Sequence, residues 1–510
     1  MKKAPLFFIA LLFLATATLA DNGKIQIKID LTKVVDDRVK VEVTFEKFSA
    51  NEVVYHMPKM IPGTYAIEDY GRFLSDFKAL DKKGRELPVE RLNTNSWKIS
   101  KAKKLASITY WVEDSYDTQL EGPEIFQPAG TNIEEATNFV INPSGFIGFF
   151  DGMTASQYEV SIIKPEGFYG STGLIPSSVN NNLNEFIDLE GNDNSSALVD
   201  VFQTGSYDEL VDSPIMYSLP DTTVIDVVGT QVLVSTYTPN KVVSARQIAS
   251  TIEEVLAAQK DYLGGKLPVE KYAFIFYFTD QPVMSYGALE HSYSSFYYMP
   301  EYSIEQMEQQ LRDFAAHEFF HIVTPLTIHS EEIVPFDFVN PEMSRHLWLY
   351  EGMTEYFAGN AQVQGGLINI DQYVNMLREK MMTASQFNDS LPFTELSLGA
   401  LDIHADEYYN VYQKGALIGL ALDLTLLELS EGGYGVQEMM SDLAKLFGKS
   451  RSFKDEELFD IITSHIACSD KRHVYPVRWS LMPILSTSTC RNNSWNNNSP
   501  CSRCSGFFQK

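Results

Sequence analysis

His317, Glu318 and His321 form the run His-Glu-Phe-Phe-His inside residues 311–323, a stretch of helical character. Four residues advance a helix by just over one turn, so both imidazoles project from one face and can hold one zinc ion, with Glu318 facing the same cleft. This is the outline of a hydrolase site. Phe314, Ala315, Phe319, Phe320, Ile322 and Val323 leave the motif almost wholly buried, and a helix apolar around two histidines must give them partners. The alternative is a plain pair of core or surface histidines, and the apolar setting favours the metal.

A catalytic zinc takes three protein ligands and keeps one position open for water. The metzincin extension fails, because Thr324 and Thr327 stand where its glycine and third histidine would be. Candidates downstream are His329, Glu331, Glu332, Glu342 and Glu351. Glu351 is favoured: it lies in the apolar run Leu-Trp-Leu-Tyr-Glu-Gly-Met-Thr-Glu-Tyr, where a carboxylate is expensive unless paired or metal-bound. One turn further on the same face, Glu355 can accept the second ring N–H of a ligand histidine and fix its tautomer. Its other reading is an exposed helix-surface acid. Glu318 is then the general base, taking a proton from water acidified by the ion and passing it to the leaving amine.

The elements that must position these groups fall into two halves. From Lys24 to about Tyr217 apolar and polar residues alternate: Ile25, Ile27, Ile29 and Leu31, then Val39, Val41, Val43 and Phe45, later Ile108, Tyr110 and Val112. Turn residues separate the runs, which predicts an antiparallel β domain over 21–217, a sandwich by its pattern. A strand pair is expected at 224–237 around Gly229, a long helix at 243–262 ended by Gly264-Gly265, and a buried strand at 272–279. From Ile304 to Phe447 the period is helical nearly throughout, and Pro325 is expected to close the helix that carries the histidines. The fold class is therefore α+β, with a catalytic domain over 218–465 that is mixed, then mainly helical.

Composition narrows the partners. The net charge of −27, from 40 basic and 67 acidic residues in 510, argues against nucleic acid or an anionic membrane surface, since either would be repelled. Residues 1–20 read as a secretory signal: Lys2 and Lys3, an apolar run at 6–15, then Thr18-Leu19-Ala20 as the cleavage site. No later segment is a transmembrane candidate; the most apolar, 415–429, is short and carries Asp423. An exported protein is expected, periplasmic or extracellular, with no integral membrane segment after signal removal.

All four cysteines, Cys468, Cys490, Cys501 and Cys504, fall near the C-terminal end, where the charge balance turns basic after about Ile466 and Asn and Ser dominate. The single Cys-x-x-Cys at 501–504 has no clear second ligand pair at matching spacing, so it is a weak signal on which no function is built.

His-Glu-Phe-Phe-His, followed thirty residues after its second histidine by the glutamate of Trp-Leu-Tyr-Glu-Gly-Met-Thr-Glu-Tyr, resembles the glycyl aminopeptidase family of gluzincin metallopeptidases. The histidine-to-glutamate spacing matches that family better than thermolysin or the larger aminopeptidases, where it is shorter. The resemblance implies a thermolysin-like zinc peptidase domain behind the β domain, and a peptide substrate. Gly287-Ala288-Leu289-Glu290-His291 resembles the family's Gly-Gly-Leu-Glu-His, the strand that lines the substrate cleft. By that resemblance Glu290 binds the free α-amine, with Gly287 and Ala288 beside the substrate; otherwise Glu290 is an acid following a buried strand. Tyr412-Gln413-Lys414-Gly415 resembles the superfamily's Tyr-x-Lys-Gly element, whose phenol donates to the oxyanion of the tetrahedral intermediate. Tyr408 and Tyr409 compete with Tyr412 for that role, and simple aromatic packing is the other reading.

Residues 57–65 resemble the family's Pro-x-Trp-x-Pro-Gly-x-Tyr stretch with Met60 in place of tryptophan, and are read as a structural turn without a catalytic role. Family members commonly continue into a PDZ module. Here 466–510 stands in its place, which is what a frameshift or truncation near Ile466 would leave.

Three functions compete: a zinc aminopeptidase removing N-terminal Gly or Ala, a zinc endopeptidase in which Glu290 anchors no amine, and a catalytically silent peptide-binding protein on the same fold. Intact His317, Glu318, His321 and Glu351 speak against the last; the altered end speaks for it.

Overall fold

The computed structural model describes residues 23–177, 198–283 and 286–469. The leader read at 1–20 and the cysteines at 490, 501 and 504 lie outside them. The compositional break near Ile466 falls within a helix at Leu458–Ser469.

The alternating runs become strands with one buried face. In Ile25–Asp30 the isoleucines point inward and Gln26 and Lys28 outward, and Arg38–Thr44 buries Val39, Val41 and Val43 in the same way. These strands sit in a six-stranded sheet with the order Val199–Thr204, Tyr158–Ile163, Ile25–Asp30, Arg38–Thr44, Leu105–Glu113, Leu74–Asp81. Two four-stranded sheets complete this half. The expectation of purely antiparallel pairing needs one correction: Ile25–Asp30 runs parallel to Tyr158–Ile163. Alternation reports which face a strand buries, and a long connection permits either direction.

The second half opens with a five-stranded sheet ordered Thr222–Val227, Thr230–Tyr237, Lys271–Thr279, Ser294–Pro300, Gly287–Glu290. Thr222–Val227 and Thr230–Tyr237 are the predicted pair, turned through Val228 and Gly229, both at positive φ (54° and 87°). Lys271–Thr279 lies between two parallel neighbours and is buried along most of its length, as its unbroken apolar run requires. The helix Ala245–Tyr262 makes the crossover between Thr230–Tyr237 and Lys271–Thr279, and starts with Ser244 and Gln247 capping each other.

The histidine-bearing helix spans Ile304–Phe320 and ends four residues before the residue preceding Pro325, with His321 as its cap. From there the chain turns: Leu326 N–H donates to His321 O, and Thr327 Oγ1 to Ile322 O. Residues 322–346 are irregular, so the helical stretch expected from Ile304 to Phe447 is interrupted. The helices Met353–Gln364, Ile370–Ala384 and Asn410–Leu429 follow. Among the described residues no helix is long and apolar enough to cross a membrane. Asp423, in the apolar helix Asn410–Leu429, accepts from the Tyr356 hydroxyl (2.6 Å) and from Val436 N–H (2.8 Å).

Two large cores result, one in each half, and they interlock. Leu289, Phe336 and Phe338 reach from the second half into the β core, while Tyr65 of the β half packs into the core of the second.

Candidate active site

The two histidines leave the last turn of Ile304–Phe320 on one face, their rings 4.7 Å apart and nearly perpendicular. Each is oriented through its Nδ1. His317 Nδ1 lies 2.7 Å from Glu355 Oε2, and His321 Nδ1 donates to Thr324 O over 3.1 Å. A ring held at Nδ1 presents Nε2, and both Nε2 atoms face one oxygen, Glu351 Oε2, at 3.2 and 3.6 Å. Ligands about 2.0–2.1 Å from a tetrahedral zinc lie roughly 3.3 Å from each other, so these three atoms fit a metal of that size. Of the downstream candidates only Glu351 joins the histidines in a metal-sized group among the described residues. His329 turns its Nδ1 to Pro325 O, and Glu331 and Glu342 are exposed.

Glu351 sits in one turn of π-helix, Trp348–Gly352, just before Met353–Gln364. The wide turn is a rare form that concentrates at functional sites. Gly352 explains the approach of the next element: a Cβ there would meet the Gly415 Cα at 2.6 Å, so the Glu351 turn and the Asn410–Leu429 helix touch backbone to backbone. That contact brings Tyr412 to the metal group, its ring 5.8 Å from that of His317. Tyr408 and Tyr412 share a hydrogen bond of 2.6 Å, whereas Tyr409 is exposed and drops out of the competition.

Glu290 ends Gly287–Glu290, the last strand of its sheet, antiparallel to Ser294–Pro300. Its carboxylate lies within 4.8 Å of ligand atoms of both Glu318 and His321. Gly63, at φ +86°, makes room for it: a Cβ there would lie 2.8 Å from Glu290 Oε2. Gly287 packs under Phe126, and Ala288 is half-buried beside it.

The site holds more carboxyl groups than its own cations balance. Burial, reinforced by Glu351, pushes Glu290 up to about 8, and burial pushes Glu318 up to about 7. Glu351 and Glu355 are likewise buried, yet stay below the usual carboxylate range, Glu351 through the two histidines and Glu355 through Lys380 and His317. Burial opposes charge on His317 too, but Glu351 and Glu355 flank both its nitrogens and hold it above its ordinary value; His321 is lowered by burial. Such a site favours a divalent cation, which would ionise its carboxylates and leave both imidazoles neutral.

Two residues of the site went unread in the sequence. Lys380, from Ile370–Ala384, donates to Glu355 Oε1 over 2.6 Å. Tyr65 brings its phenol from the β half up to the Glu351 carboxylate and sets its ring 5.9 Å from that of Tyr408. The stretch 57–65 is thus more than a structural turn, because it supplies two walls of the site, Gly63 and Tyr65. The proline-glycine-x-tyrosine pattern was visible, but nothing local in it points at a glutamate far along the chain.

Residues 26–219 match the Peptidase M61 N-terminal domain and residues 310–418 match the M61 glycyl aminopeptidase domain. No curated protein matches the chain in sequence. Among solved structures, an aminopeptidase N family protein from Idiomarina loihiensis is similar in fold, with a TM-score of 0.73 at 20% identity over 86% of this chain and 73% of that one.

Proposed function

The chain belongs to the M61 glycyl aminopeptidase family and is a metallopeptidase, and from that premise we propose that it is an exported zinc aminopeptidase that removes N-terminal Gly or Ala from peptides. His317, His321 and Glu351 would hold the ion, and Glu355 orients His317. A bound zinc would supply Lewis acidity, making the attacking water easier to deprotonate. Glu318 takes the proton of the attacking water and later delivers it to the leaving amine. Tyr412 donates its phenolic hydrogen to the oxyanion as the tetrahedral intermediate forms. Gly287 and Ala288 offer backbone to the substrate from the sheet's last strand, and Glu290 receives its α-ammonium.

The observation that carries the exopeptidase reading is Glu290. It is a buried carboxylate within a few ångströms of the base and a metal ligand, beyond the three ligands and one base that peptide hydrolysis alone requires. Its burial leaves an uncompensated group that a substrate ammonium would pair. Export is supported by the basic, then apolar, pattern of residues 1–20.

The test compares free and N-acetylated Gly- and Ala-anilides. Cleavage of the free amines alone is the expected result. Equal cleavage of the acetylated forms would make the protein an endopeptidase, and stoichiometric zinc with no cleavage of either would make it a silent binding protein.

A further inference from the structure

We propose that Tyr65 is a positioning residue for Glu351, so that the β half of the chain completes the metal site of the other half; this rests on the reading of Glu351 as a ligand. Among the described residues Tyr65 is the one residue N-terminal to Val227 in the buried core of the second half, and it is 8% exposed. Its backbone is left-handed, at φ +45°, a region an aromatic residue enters only when its surroundings hold it there. Strain of this kind gathers at ligand clamps and active sites. The turn that imposes it is anchored: Thr64 Oγ1 donates to Ile61 O over 3.0 Å, Lys59 N–H donates to Phe338 O over 2.8 Å, and Gly63 adopts φ +86° beneath Glu290.

The result is a phenol on Glu351. A carboxylate can rotate about its last bond, and only one of its oxygens, Oε2, faces both imidazoles. A donor fixed by the other half limits that rotation and keeps Oε2 facing the two imidazoles, where an ion would sit. Tyr408 and Tyr412 are engaged with each other, which leaves the contact with Glu351 to Tyr65.

Tyr65→Phe removes the hydroxyl and keeps the ring against Tyr408. In the full chain, zinc affinity is measured by competition with a chromophoric chelator, and the absorption spectrum of the cobalt-substituted protein is recorded. Zinc binding about 10–100-fold weaker is expected, with altered cobalt bands and an unchanged melting temperature of the metal-free protein. Should Tyr65→Phe fail to fold, Tyr65→Asn suits left-handed backbone and is read the same way. Zinc affinity within twofold of wild type with an unchanged cobalt spectrum overturns the role, even where the wild type cleaves its substrates as proposed. Weakened zinc binding in a chain that cleaves nothing supports Tyr65 and refutes the aminopeptidase.

Discussion

Two buried polar clusters, one in each half of the molecule, are built on opposite principles. In the β half Lys164 Nζ donates to Asp200 Oδ1 over 3.0 Å, and Tyr217 donates to Asp200 Oδ2 over 3.0 Å. One cation meets one anion, and the second oxygen is satisfied. In the other half Glu290, Glu318, Glu351 and Glu355 crowd around two histidines, and among the described residues Lys380 is the one ammonium that pairs with them. A buried cluster that closes on itself needs nothing further; one left with surplus carboxyl groups is arranged for a cation that the chain does not encode.

Substitutions can break that contrast. Glu318→Gln is expected to have the largest effect, lowering turnover by about 10²–10⁴-fold while zinc remains at one per chain by elemental analysis; zinc lost along with turnover would make Glu318 a ligand instead of a base. Asp200→Asn leaves Lys164 charged and buried without its partner, and chemical denaturation should show a loss of about 3–5 kcal/mol. Zinc affinity should not change, because the β cluster lies outside the site. Glu355→Gln keeps the shape but weakens the orienting contact on His317, and chelator competition should show metal binding weaker by about 10–100-fold.

The smallest effect sharpens the contrast through pH. In the metal-free protein Glu318 and Glu290 are pushed up to about 7 and about 8, and His317 is held above its ordinary 6.5. Between about 6.5 and about 8 these groups bind more protons folded than unfolded, so the metal-free fold loses stability as pH rises through that window. Zinc releases those protons, and thermal melts of the loaded protein should lose this part of the slope. Identical pH profiles with and without metal would show that the carboxylates are not coupled to the ion.

What could be read from the sequence was local. His317 and His321 stand four apart on one helix, so their convergence needs no knowledge of the fold, and Glu351 betrayed itself as a charge in an apolar run. Glu355 followed by the same spacing rule. Lys380 and Tyr65 sit on ordinary-looking segments, and only packing brings them in: Lys380 across a helix contact, Tyr65 across the junction of the two cores. The strands behaved similarly. Alternation in Ile25–Asp30 and Tyr158–Ile163 gave their buried faces correctly, while their parallel pairing is a property of the whole sheet. The end of the histidine helix at Phe320 was also hidden, because the turn that stops it is held by local bonds such as His321 Nδ1 to Thr324 O, which no residue type announces, several residues before the proline.

The most direct test is anomalous diffraction from a crystal of the protein grown with zinc, collected on both sides of the zinc absorption edge. One peak is expected, bonded to His317 Nε2, His321 Nε2 and a Glu351 oxygen, with Glu318 beside it and free of it. No peak between those residues, or Glu351 turned away with no other acid in its place, would contradict a metal-activated peptidase.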